Sequence, residues 1–146
     1  MSINQYYAEK KDIMDIFNLL VEYKKIDLED CNYPDIDQDK SLNFLHTILA
    51  KGKIILLKDL DKNELIGCCL YNKSEYFFSK TQIMVIQMLY IKQNYRNYNL
   101  VKQLIESVKK QAENMPLVIS ITSGLGVDPV FKMLGFENMG CNWRLL

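Results

Sequence analysis

Met88-Leu89-Tyr90-Ile91-Lys92-Gln93-Asn94-Tyr95-Arg96-Asn97-Tyr98-Asn99-Leu100-Val101 decides the fold. An apolar, strand-forming run gives way within a few polar residues to an amphipathic helix. Such a turn aims several backbone N–H groups at one spot, where the helix dipole also favours negative charge. A phosphate or pyrophosphate suits that geometry. By itself the pattern is a weak signal, because most strand-to-helix turns bind nothing and lead simply into a core helix.

Outward from this turn, the chain alternates between two periods. Downstream, Leu100, Val101, Leu104, Ile105, Val108 and Ala112 form one stripe of a helix from about Asn97 to Glu113. Pro116 stops its continuation, and Leu117–Ile121 reads as a strand. Ser123-Gly124-Leu125-Gly126 reads as a loop. Asp128 is then placed as an N-cap with Pro129 at the first helical position. That short helix ends at Gly135, and Phe136 to Leu146 reads as extended. Upstream, Thr81 to Ile91 is a long strand. Lys53–Leu60 and Leu65–Tyr71 form a hairpin across Asp61-Lys62-Asn63-Glu64, and Asn72-Lys73-Ser74-Glu75 reads as a connection. Ile3 to Tyr7 is a short first strand. Ile13, Ile16, Phe17, Leu20 and Val21 mark a helix over Lys11–Lys25. A second helix begins near Ser41, carries Leu42, Leu45, Ile48 and Leu49, and ends at Lys51-Gly52.

The order is β-α-α-β-β-β-α-β-α-β, a mixed sheet with helices on its faces. The fourth and fifth strands are expected to be parallel neighbours joined by a right-handed crossover. A ligand crevice is expected at the carboxyl end of the fourth strand.

The 146 residues fit one domain spanning 1–146, with 18 basic and 18 acidic side chains. This balance lacks the basic footprint of a nucleic-acid binder. No apolar run reaches the ~18 residues of a membrane span, and no signal-peptide pattern is present, so a cytoplasmic location is expected. Cys31, Cys68, Cys69 and Cys141 make no metal-ligand spacing; as strand neighbours, Cys68 and Cys69 would face opposite ways.

Pro129-Val130-Phe131-Lys132-Met133-Leu134-Gly135-Phe136-Glu137 resembles the "lYeklGFe" segment of the GNAT family of N-acetyltransferases. The opening stretch resembles that family's acetyl-CoA motif, L-x-V-x-P-x-x-R-G-x-G-[IVL]-[GA]. Leu89, Ile91, Tyr95, Arg96 and Leu100 match it in register. The order and separation of the two motifs carry the resemblance, which covers the whole chain. It implies an α/β (α+β mixed-sheet) GNAT-like acyl-CoA N-acyltransferase fold. It also implies transfer of an acetyl group from acetyl-CoA to a primary amine of a small molecule or protein.

On this resemblance, the pantetheine arm pairs with the main chain of Leu89, Tyr90 and Ile91. The pyrophosphate rests on N–H groups from Arg96 through Asn97, Tyr98, Asn99 and Leu100 to Val101, with Arg96 or Lys102 adding positive charge. A backbone N–H near Leu89 would hold the oxyanion. The chain also departs from the family pattern. Asn97 and Asn99 stand at glycine positions, where Asn is the residue that best tolerates a left-handed conformation. Val101 stands at a small-residue position, and Gln93 replaces the common Pro. Phe131 occupies the place of a Tyr that protonates the departing thiolate, and it has no proton to give.

The sequence does not name the general base. Gln87, read as sharing a strand face with Leu89, can orient a water. Glu75 can ionise, and Tyr90 and Tyr98 can act as acids, yet a solvated carboxylate and packed aromatics explain them as well. His46, the sole histidine, is read on the apolar side of its helix. Asp35, Asp37 and Asp39 lie where the family has its amine-substrate loop, although such a charge run is usually just a solvated loop. A GNAT-like domain that has lost its chemistry and serves binding or assembly is the competing reading. A homodimer through an edge strand such as Lys53–Leu60 is compatible with both.

Overall fold

The computed structural model describes residues 2–120, 128–140 and 144–145. Its elements are β1 (Ile3–Tyr7), α1 (Ile13–Asp27), α2 (Gln38–Lys51), β2 (Lys53–Asp59), β3 (Glu64–Glu75), β4 (Gln82–Ile91), α3 (Tyr98–Ala112), β5 (Leu117–Ile119) and α4 (Asp128–Met133). The sheet runs β1-β2-β3-β4-β5, antiparallel except for the parallel pair of β4 and β5.

Both sheet faces are covered, which explains why β2 and β3 are apolar without alternation. Ile54, Leu56, Cys68, Leu70 and Tyr90 pack against Ile13, Ile16 and Leu19 of α1 and Leu45 and Ile48 of α2. Ile55, Leu57, Cys69, Tyr71 and Ile86 pack against Leu104, Ile105 and Val108 of α3 and Phe131 of α4. Cys68 and Cys69 do face opposite cores, and burial pushes the Cys68 thiol up to about 12.

Several expectations are corrected. β3 continues through Asn72–Glu75, because that segment pairs with Gln82–Val85 and lengthens the hairpin beyond the core. α2 starts at Gln38, ahead of Ser41, because the Asp37 carboxylate accepts the Lys40 N–H at 2.9 Å as its N-cap. Gly52 ends α2 with φ −129°. No left-handed cap requires glycine there; a Cβ would lie 2.2 Å from the Tyr71 carbonyl oxygen. His46 is exposed rather than at the core edge. β2 lies between β1 and β3, so it offers no free edge for a dimer.

Residues 136–140 form no strand. The rest of the expected last strand, apart from residues 144 and 145, lies outside the described residues, as do Ile121 and the Ser123–Gly126 loop. Pro129 lies in the first turn of α4, whose first residue is Asp128. The capping role read for Asp128 concerns a side chain outside the described residues.

Candidate active site

β4 and β5 pair only from Met84 with Leu117 to Ile86 with Ile119; β4 then continues to Ile91 paired with β3 but no longer with β5. The cause is local. Tyr71 pairs with Ile86 and Leu70 with Met88, which leaves Gln87 as an extra residue in β4. Such a bulge bends its strand and reverses the phase of the residues beyond it. The Met84 N–H reaches Pro116 O on the β5 side at 2.9 Å, whereas the Lys92 N–H reaches Ile66 O on the β3 side at 2.8 Å. An even number of residues separates them, so an unbroken strand would point both the same way. Leu89 and Ile91 therefore turn N–H and C=O toward the open edge.

The opening between the two strands is a cavity of about 290 Å³. Gln87, Leu89, Tyr90 and Ile91 form one wall, and Ile119 and Ser120 the other. Arg96, Asn97, Tyr98 and Val101 close one end, Val130 and Phe131 line it from α4, and Tyr23 and Asp27 from α1. It is the crevice expected at the carboxyl end of the fourth strand.

α4 is held here by its C-terminus. Gly135 has φ +89°, the Phe136 N–H bonds Phe131 O at 2.9 Å, and the Gly135 N–H bonds Lys132 O at 3.0 Å. This is a Schellman motif. Its usual apolar contact is the edge-on packing of Phe136 against Phe131, 5.3 Å between ring centroids. The Leu-Gly-Phe sequence thus fixes the ring that lines the cleft.

At the head of α3, the Asn97 carboxamide accepts the Leu100 N–H at 2.9 Å, and Asn97 O accepts the Val101 N–H at 3.3 Å. Asn97 is extended (φ −153°) and Asn99 is helical. Neither uses the left-handed conformation expected of them, because a side-chain cap needs an extended residue at that place. Helix geometry leaves the N–H groups of Tyr98 and Asn99 without intrahelical partners.

Arg96 is engaged within the chain. Its Nη2 donates to both oxygens of Asp27 at 2.8 and 2.9 Å, and its Nε donates to Ile91 O at 2.7 Å. The guanidinium also stands 5.4 Å from the Tyr90 ring centroid. The Tyr90 hydroxyl donates to Glu22 Oε2 at 3.0 Å, and the ring meets Tyr23 edge-on at 5.7 Å. Burial first, then the Glu22 carboxylate, raises the Tyr90 pKa above the ordinary tyrosine value.

Gln87 is on the opposite face from Leu89, not the same one, since the bulge intervenes. Its amide donates to Asn72 Oδ1 at 2.9 Å. Glu75 pairs with Gln82 at the far end of β4, roughly 23 Å from Leu89 at ~3.3 Å per residue. Asn99, Leu100 and Lys102 do not line the cleft. Leu100 packs into the core, and Lys102 faces Glu106 at 3.8 Å.

Sequence reading missed Tyr23 and Asp27, one helical turn apart near the end of α1. A usable signal was present: a carboxylate in the last turn opposes the helix dipole and calls for a cation. Arg96 is that cation.

The protein-family model of the acetyltransferase (GNAT) family matches residues 13–136. The chain belongs to the GNAT family. It is by family an acyltransferase whose cosubstrate is acetyl-CoA. Solved GNAT structures share its fold. A predicted acetyltransferase from Clostridium acetobutylicum, crystallised with acetyl-CoA, is 23% identical, with 99% of this chain and 96% of that one covered and a TM-score of 0.75. AAC(6')-Iy, in complex with the bisubstrate analogue CoA-S-monomethyl-acetylneamine, is 15% identical, with coverage of 100% and 98% and a TM-score of 0.76. A ribosomal-protein-alanine N-acetyltransferase from Brucella melitensis biovar Abortus 2308 is 11% identical, with coverage of 100% and 98% and a TM-score of 0.73. No curated protein matches the sequence significantly. Among the described residues, no helix is long and apolar enough to cross a membrane, and no cluster of His, Cys, Asp or Glu fits a metal ion.

Proposed function

We propose that residues 1–146 act as one acetyltransferase domain that moves the acetyl group of acetyl-CoA to a primary amine. The observation that carries this is the open edge of β4, where the Leu89 and Ile91 amides border a cleft reaching the head of α3. The cosubstrate supplies an activated acyl thioester. Leu89 and Ile91 pair with the amides of its pantetheine arm as an added strand would. A cleft of about 290 Å³ suits that arm, with the nucleotide end lying outside near α3. The Tyr98 and Asn99 N–H groups meet the pyrophosphate, and a β4 amide near the bulge stabilises charge developing on the acyl oxygen.

The amine approaches from the α1 side, where Tyr23, Asp27 and Tyr90 face the cleft. It must lose a proton before attack. Water ordered by Gln87 suits that step better than Glu75, which stands at the other end of the sheet. Phe131 closes the cleft without donating a proton, so the leaving thiolate takes its proton from solvent. A cytoplasmic location completes the reading.

Two observations favour a second reading, a binding module without turnover. The Asn97 side chain occupies an N–H group that a phosphate would otherwise use, and Phe131 lacks a hydroxyl. Calorimetric titration with acetyl-CoA, followed by thiol release in the presence of primary amines, tests the first reading. Binding with amine-dependent thiol release supports the enzyme. Binding with no release from any amine favours the module, and absence of binding overturns both cosubstrate-based readings.

A further inference from the structure

Among the described residues, the cleft is lined by one acid, Asp27, and one base, Arg96, and they are spent on each other. The Asp27 side chain is only 8% exposed, and both its oxygens take the same Nη2. The Arg96 Nε holds the Ile91 carbonyl. That carbonyl lies on the open edge of β4, where a strand-like ligand must pair. An amide that claims Ile91 O competes with Nε for that oxygen and so weakens one of the bonds that seat the guanidinium against Asp27. An anionic ligand at the head of α3 draws the guanidinium away, leaving a nearly buried carboxylate without a counter-charge. Such a carboxylate strongly favours a new cation.

The reacting amine must be neutral and must reach the bulge at Gln87. Asp27 lies instead toward Ile91, about 7 Å or more further along the strand by strand rise. We propose that the Arg96–Asp27 pair is a charge exchange. Cosubstrate takes Arg96, and Asp27 then holds a second, non-reacting ammonium of the acceptor. The acceptor class is accordingly a di- or polyamine. This rests on the acetyltransferase reading of the same cleft.

Exchange of this kind couples the two ligands, and the coupling is reciprocal. The test titrates CoA calorimetrically into the wild type and Asp27→Asn, each alone, with 1,4-diaminobutane, and with butylamine at equal ionic strength. Asn retains an acceptor for Arg96, and thermal melts verify folding. The expected result is CoA binding about ten-fold tighter in Asp27→Asn than in the wild type. Diaminobutane, but not butylamine, should tighten CoA binding to the wild type and leave Asp27→Asn unchanged. Equal or weaker CoA binding by a folded Asp27→Asn shows the pair intact in the complex and overturns the exchange alone. No diamine effect on the wild type, which needs no variant, overturns it too. Failure of both proteins to bind CoA overturns the acetyltransferase reading with it.

Discussion

The Tyr95 hydroxyl donates to the Asp59 carboxylate at 2.6 Å, tying the turn before α3 to the end of β2. Asp59 also accepts the N–H groups of Asp61 and Lys62, at 3.0 and 3.3 Å, so it organises the β2–β3 turn at the same time. The Tyr95 hydrogen bond, followed by the backbone donors, holds the Asp59 carboxyl below its usual range. In return, Asp59 pushes the Tyr95 hydroxyl up to about 12. The depressed carboxyl contributes stability that is full above about pH 4 and declines as the pH falls through its folded-state value. The raised hydroxyl contributes stability that is full below about pH 10 and is lost as the pH climbs toward 12. Tyr95→Phe should lower the melting temperature near neutral pH. It should also shrink the fall at both extremes relative to wild type, read from melts across pH.

Gly52 sits where the chain leaves α2 and passes over β3. Any Cβ there meets the Tyr71 carbonyl at 2.2 Å and the Asn72 Cβ at 2.8 Å. Backbone cannot move aside as a side-chain tip can. Gly52→Ala should cost about 2 kcal/mol or more by overpacking, measured by urea unfolding. An unchanged midpoint would show that β3 shifts freely at this place.

Much of the frame was legible in the sequence because hydrophobic period reports burial directly. Lys53 through Leu60 read as one apolar strand of a hairpin, and the α3 stripe from Leu100 to Ala112 read as a helix on a core. The cleft was legible only in part. Its walls follow from the β4 bulge at Gln87, and a one-residue register shift leaves no mark in composition or spacing. The same shift put Gln87 on the face opposite Leu89. Asp37 was hidden as a cap by its acidic neighbours, which suggested a loop. Asp27 and Arg96 are 69 residues apart, and only folding shows that the charge expected for a phosphate is already paired.

Gly135 is a glycine for conformational reasons alone. Its φ is +89°, yet an added Cβ would meet nothing within 4 Å among the described residues. Gly135→Ala should therefore cost about 1–2 kcal/mol, the penalty of a left-handed L-residue. The loss would fall on the Phe131–Phe136 contact, which closes the Schellman turn. Since Phe131 lines the cleft, acetyl-CoA binding should weaken alongside the drop in melting temperature. Weakened folding with unchanged binding would separate the Phe131 ring from the cosubstrate.

Asn97 is the place where stability and ligand binding are set against each other. Its carboxamide caps α3 through the Leu100 N–H, in the space that a glycine would leave to a phosphate oxygen. Replacing an Asn cap with Ala costs about 1 kcal/mol, whereas Gly costs only a few tenths. Asn97→Ala should thus lower the melting temperature clearly, and Asn97→Gly barely. Both remove the competing side chain, so both should bind acetyl-CoA several-fold tighter by calorimetry. Asn97→Gly should show the larger gain, because its helix start stays formed in the free protein. Should both variants bind more weakly than wild type, the Asn97 amide would be a ligand for the cosubstrate rather than its competitor. The head of α3 would then be a phosphate site rebuilt around asparagine.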